Sequence, residues 1–264
     1  MAVVLTGRID VGRMSCRALV SLARYPYTGW LRRNSRADEE AVENAMSAVG
    51  ITDMAGAEAD ELSDGEFEKV MIARALAQEP EVMLLDEPAA YLDFARRVEL
   101  MHLLNRLAKE RGMAVLATSH DLDLVLRSAD RVVLLAEGGT SGDGAPEDLV
   151  LSRQLEHVFS SSLVYFDMEE GSFRARRRGR GRTVAVHGSG EPAVWTARAL
   201  ERAGFDPVTP GDRAEPAAEV HITADGERLT WQLGRGSGFR RYTSLYTLLR
   251  ELSAEKHTAY FGRI

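Results

Sequence analysis

The apolar run Val82-Met83-Leu84-Leu85 stops at two adjacent carboxylates, Asp86 and Glu87, and that junction limits what this chain can fold into. A short apolar run of this kind suits a strand buried in a parallel sheet with helices packed on it. Its surroundings keep the same rhythm. Ser35-x-x-Asp38 predicts a capping box opening a helix with Ala41, Val42, Ala45, Met46 and Val49 at helical spacing, and Gly50 as its stop. Ser63-x-x-Glu66 predicts a second box, with Val70, Ala73 and Ala77 on one face of its helix. After the Val82 strand come a helix from about Phe94 to Glu110, a strand over Ala114–Thr118, a short helix over Leu122–Ser128 and a strand over Arg131–Ala136. Ala2-Val3-Val4-Leu5 reads as a further buried parallel strand, Gly138–Gly144 as a turn, and Pro146-Glu147 as a helix start. The alternation predicts an α/β fold, a mostly parallel sheet with flanking helices.

The texture changes after Phe166-Asp167. Between Arg174 and Arg182 six arginines are separated by small residues, which reads as an exposed linker. Beyond it, a strand over Thr183–His187, the turn Gly188-Ser189-Gly190 and a helix near Val194–Ala203 begin a second unit. Val220–Ala224 and Leu229–Leu233, joined across Asp225-Gly226, predict a hairpin, and Leu245, Leu248, Leu249 and Leu252 a final helix. The expected organisation is residues 1–168 as one domain, 169–182 as linker and 183–264 as a small α+β domain.

The totals narrow the function classes. A net charge of -7 argues against nonspecific nucleic-acid binding by the whole molecule. A lone cysteine, Cys16, suits a reducing compartment, and no apolar run approaches the ~20 residues that span a bilayer. The six histidines are dispersed and suggest no metal cluster. A cytoplasmic protein is expected, with any membrane association coming through a partner.

Two carboxylates at a strand end offer one site for a divalent cation and one for polarising a water. Ser63 and Gly65, at a helix N-terminus, offer a hydroxyl, a close approach and a favourable dipole for an anion. Taken in series, Leu62-Ser63-Asp64-Gly65-Glu66, Ala73-Arg74-Ala75-Leu76, Leu84-Leu85-Asp86-Glu87-Pro88, Tyr91-Leu92-Asp93 and Thr118-Ser119-His120-Asp121 resemble the signature, Walker B and switch regions of ABC-type ATPases, in order and spacing. The resemblance spans roughly residues 1 to 150 and implies the P-loop NTPase fold. It further implies ATP and magnesium as cofactors, Asp86 holding the metal, Glu87 polarising the attacking water, His120 contacting the γ-phosphate and Asp93 sensing the opposing subunit. Ser63, Gly65 and Glu66 would then face the nucleotide bound by a second ATPase subunit.

The sequence departs from that family in three places. No G-x-x-x-x-G-K-[ST] phosphate loop occurs in the chain. Asp64 stands where a second glycine is usual, and Thr6 where a glutamine links nucleotide to permease. Leu22-Ala23-Arg24-Tyr25-Pro26-Tyr27 resembles the corresponding stretch of importers of ferric siderophores, haem and cobalamin, which places Tyr25, Tyr27 and Trp30 near a permease-docking groove.

The expected protein is therefore the ATP-binding and ATP-hydrolysing subunit of an importer for ferric chelates or cobalamin, held at the inner face of the membrane by its transmembrane permease. Lacking the phosphate loop, it is expected to be an N-terminally truncated form, inactive alone, whose strands over Ala114–Thr118 and Val132–Leu135 flank a gap or pair with each other. The rival is a catalytically dead interaction module that pairs with a permease or an intact ATPase subunit. A DNA-repair ATPase of the same class is disfavoured by the short interval between Ser63 and Asp86.

Overall fold

The computed structural model describes residues 1–27, 35–136, 138–161, 163–168, 170–175, 182–211, 216–226, 228–235 and 238–261. Trp30 and the arginines from Arg176 to Arg180 lie outside the described residues. The chain divides into two compact units, Met1–Ala175 and Arg176–Ile264.

In the first unit, β1 (Ala2–Val4), α1 (Cys16–Ser21), α2 (Arg36–Val49), α3 (Asp64–Leu76), β2 (Val82–Leu85), α4 (Phe94–Arg111) and β3 (Ala114–Ala117) form a three-stranded parallel sheet in the order β1-β2-β3 and the helices packed against it. The capping box at Ser35–Asp38 is present, and Gly50 ends α2 in the left-handed conformation at φ 72° that glycine adopts without strain. Ala45, Met46, Val70, Ala73, Met83, Leu85, Leu104 and Leu107 meet in one core under that sheet face.

The opposite face is open. Val3, Leu84 and Leu116 align in register across the three strands. Val3 is 51% exposed and Leu116 59%, while Ala2 and Val4 on the other face are buried. The expectation that Ala2–Leu5 is buried is therefore corrected: alternate residues of β1 face solvent because, among the described residues, no helix covers that side.

The chain continues through α5 (Leu122–Ser128), β4 (Val132–Ala136), β5 (Gly139–Gly144), α6 (Pro146–Leu151), α7 (Gln154–Phe159), β6 (Val164–Asp167) and β7 (Ser172–Ala175). The strand β4 does not pair with β3; among the described residues β3 is an edge, and β4 pairs only with β5. Gly138–Gly144 is thus mostly strand rather than turn. Gly138 and Gly139, both at positive φ, make the reversal, and the remainder returns along β4 with one register shift. Residues 172–175, within the stretch read as linker, pair with β6 as a hairpin closed by edge-on packing of Phe166 and Phe173.

The second unit contains β8 (Arg182–His187), α8 (Gly190–Arg202), β9 (Phe205–Val208), β10 (Ala218–Asp225), β11 (Arg228–Arg235), β12 (Gly238–Tyr242) and α9 (Leu245–Phe261). These strands form one mixed sheet in the order β12-β11-β10-β8-β9. Val184, Val220, Trp231, Leu233, Leu200, Leu248 and Leu252 build its core, with both helices on one face. Trp231 Nε1 donates to Thr196 Oγ1 at 2.9 Å, so the buried indole nitrogen is satisfied where α8 crosses the sheet.

Candidate functional site

At the end of β2, Asp86 N donates to Val4 O and Thr118 N donates to Leu85 O, each at 2.9 Å, so three strands present their carboxyl ends together. Thr118, just past β3, ties the Asp86 carboxylate to the Glu87 backbone. Its hydroxyl donates to Asp86 Oδ1 at 2.7 Å and accepts from the Glu87 amide at 2.8 Å. Thr6 also donates to the Asp86 carbonyl. Glu87 sits at φ 47°, a left-handed conformation that costs a non-glycine residue on the order of 1 kcal/mol. That turn aims its side chain at His120, whose Nδ1 lies 2.8 Å from Glu87 Oε2. Two residues read separately from the sequence are thereby in contact.

A second cluster forms at the start of α3. Ser63 donates to Glu66 Oε2 through its amide at 2.9 Å and through its hydroxyl at 2.6 Å. These bonds hold the Glu66 carboxyl below the usual carboxylate range. Asp93 caps α4, accepting from the Arg96 amide at 2.9 Å. The Arg96 guanidinium reaches back to donate to Ser63 Oγ at 3.1 Å, and lies where a side chain on Gly65 would project. Arg8 stands 3.7 Å from Asp64.

A cleft of about 210 Å³ connects the two neighbourhoods, lined among others by Thr6, Arg8, Asp64, Glu68, Glu87 and Tyr91. Glu68 contributes a carboxyl whose Oε1 is shut off from solvent without a hydrogen-bond partner, and burial pushes it up to about 7. The structure thus groups Asp86, Glu87 and His120 in one cluster and Ser63, Gly65, Glu66 and Asp93 in another. Sequence reading missed Thr118 as the bridge, Arg96 as the cover and Glu68 as a buried acid. Only Arg96 left a signal, lying three residues after a helix cap and so turned toward it.

Tyr25 and Tyr27 lie in a turn of tight helix anchored from beneath. Arg24 is buried; it donates to Asp38 Oδ1, Ala77 O and Glu79 Oε2, each at 2.9 Å, and stacks over Tyr27 at 4.3 Å. Both tyrosines remain more than half exposed.

A parallel sheet with paired carboxylates at the end of an inner strand and a glycine-bearing helix start beside them defines an ABC-type ATPase domain of the P-loop NTPase fold. Residues 11–90 match the ABC transporter family, and residues 181–253 match the iron ABC transporter C-terminal domain. The chain combines these two domains. It is 37% identical over 59% of its length to the ferric enterobactin transport ATP-binding protein FepC of Escherichia coli, covering 58% of that protein. It is 33% identical over 74% of its length to the cobalamin import ATP-binding protein BtuD of Halobacterium salinarum, covering 52%. A chain of a transporter described as of the metal-chelate ABC type, in an inward-facing conformation, shares the fold at a TM-score of 0.58 and 24% identity, over 67% of this chain and 73% of that one. The chain spans less than two thirds of the length of the curated relatives it matches. FepC and BtuD are both named as ATP-binding proteins of transport or import. Among the described residues no helix is long and apolar enough to cross a membrane.

Proposed function

We propose that the first unit is the signature-and-Walker-B half of the ATP-binding subunit of an importer for ferric chelates or cobalamin. By itself this chain neither binds nor hydrolyses ATP appreciably. The observation that carries the reading is the joining of Asp86, Glu87, Thr118 and His120 at the carboxyl end of a sheet whose outer strand β3 is unpaired on one side. In a complete site, Asp86 is the carboxylate for magnesium, Glu87 polarises water, His120 meets the terminal phosphate and Asp93 belongs to the loop facing the other subunit. Ser63, Gly65 and Glu66 present the helix start to the nucleotide held by that subunit.

The residues present do not fit a whole magnesium nucleotide. Asp64, Glu68 and Glu87 line the cleft with only Arg8 as a cation among the described lining residues, and the sequence holds no phosphate-loop motif. The edge of β3, open among the described residues, and the row Val3–Leu84–Leu116, exposed at both ends, are the surfaces a further strand and helix carrying that loop would cover. In this reading the chain sits at the inner face of the membrane on a permease, and the exposed Tyr25 and Tyr27 are the residues offered for docking.

Calorimetry of the purified chain with magnesium and ATP tests the reading. No heat of binding is expected at micromolar nucleotide; micromolar affinity would overturn it.

A further inference from the structure

Two of the six histidines, dispersed in the sequence, meet in the second unit. The register pairs His187 of β8 with His221 of β10, so both rings leave the same face of the sheet. They stack at 3.9 Å between centroids, tilted by 11°. Glu219, two residues before His221, projects from that face as well. Its Oε2 lies 3.2 Å from His221 Nε2 and 3.4 Å from His187 Nε2. The three donor atoms fall within 4.8 Å of one another. His187 Nε2 is shut off from solvent, and its 3.4 Å approach to Glu219 does not form a hydrogen bond, a cost for a buried imidazole nitrogen unless something ligates it.

We propose that His187, Glu219 and His221 form a binding site for a divalent first-row transition metal. The two distances from Glu219 to the imidazoles suit it: bonds of ~2.0–2.1 Å to a tetrahedral ion place donors about 3.3 Å apart. Imidazole nitrogens with one carboxylate select ions such as Zn(II), Fe(II) or Co(II), whereas magnesium and calcium prefer sets made wholly of oxygen. The Glu219 side chain is 45% exposed, so the ion enters from solvent and keeps positions for water. Phe239, edge-on to His221 at 5.3 Å, walls one side of the site. Its ring lies so close over Gly234 that any side chain there would meet it, so glycine at this position makes room for the wall. The site is independent of the nucleotide motifs, and its failure would leave the ATPase reading untouched.

Co(II) titration of the full chain, followed by visible absorption and calorimetry, is the test, with Zn(II) as competitor and Mg(II) as control. One equivalent bound, displaced by Zn(II) and indifferent to Mg(II), is expected. His187→Gln and His221→Gln should each weaken binding by more than the ~10–100-fold that loss of a mere outer-shell partner costs. Glu219→Gln, nearly isosteric on a solvent-facing position, should weaken it without altering thermal unfolding of the metal-free chain. Absence of Co(II) binding would overturn the proposal, as would affinity unchanged in the folded Glu219→Gln variant or in a doubly substituted His187, His221 chain. The first result would leave the trio as a stacked pair with a charge partner; the others would place the ion on other histidines.

Discussion

His120 Nδ1 lies 2.8 Å from Glu87 Oε2, and Glu87 reaches it from a left-handed backbone at φ 47°. A strained residue held between a β2 terminus and a β3 terminus is the mark of a site whose geometry is set by its neighbours rather than by local preference. Glu87→Gly is therefore expected to leave stability unchanged or raise it by at most ~1 kcal/mol, because relief of strain offsets the added freedom of the unfolded chain. A shift in urea midpoint with unchanged slope measures this. A loss beyond about 1 kcal/mol would show that the side-chain contact outweighs the strain.

Arg24 provides a contrasting case, a charge whose role is structural. Arg24→Met should destabilise the fold clearly, since it leaves the Asp38 carboxylate held by Ser35 alone and frees the Ala77 carbonyl and Glu79 of their donor. The same variant in urea unfolding, compared with Tyr27→Ala, separates the ion pair from the stacking. An Arg24→Met loss no larger than that of Tyr27→Ala would refute the assignment.

Asp38 predicts the acid limb of stability. Hydrogen bonds from the Ser35 hydroxyl and amide, then from Arg24, lower it from 3.8 to about 2. A depressed carboxyl stabilises the fold above its unfolded range and loses that contribution as pH falls through its folded value. The chain should therefore lose stability between about pH 4 and 2. Asp38→Asn should be less stable at neutral pH with a flatter acid limb; an unchanged limb would assign the loss to other carboxylates.

Glu68 acts at the other end of the scale. Burial raises it from 4.5 to about 7, so the neutral form favours folding. Its contribution is complete below the unfolded value and is lost as pH rises through 7. Glu68→Gln should gain on the order of 1–3 kcal/mol relative to the parent by about pH 8.5 and nothing near pH 4. Thermal melts across that range give the difference directly; a constant offset would mean that Glu68 ionises without penalty.

The Ser63 cluster predicts complementation. Mixed with a related ATPase that keeps its phosphate loop but has lost its signature serine, this chain should restore hydrolysis at one site of the pair. Ser63→Ala in this chain should abolish the rescue, and failure of the unsubstituted chain to rescue would count against the assigned role.

The open sheet face predicts solvent-accessible apolar surface. Leu116→Thr should reduce binding of an apolar dye while changing stability by within about 0.5 kcal/mol, because the leucine is already 59% exposed. A larger loss would mean that Leu116 is covered in solution.

The sequence by itself determined the local elements and the motif order. Capping at Ser35 and Ser63, the stop at Gly50 and the apolar spacing along α2, α3 and α4 are short-range effects carried by neighbouring residues. The hairpin across Asp225-Gly226 is legible for the same reason, with Asp225 paired to Arg228. Glycines at 138–144 misled because chain reversal and strand pairing share that stretch, and only the partner β4 separates them. Tertiary structure alone decided which distant groups meet: Thr118 between Asp86 and Glu87, Arg96 over Ser63, and His187 against His221. It also decided that Val3 and Leu116 stand exposed, because burial depends on what packs against a strand and not on the strand's own composition. Pairing across a sheet depends on register between segments far apart in the chain, and no local residue pattern carries that information.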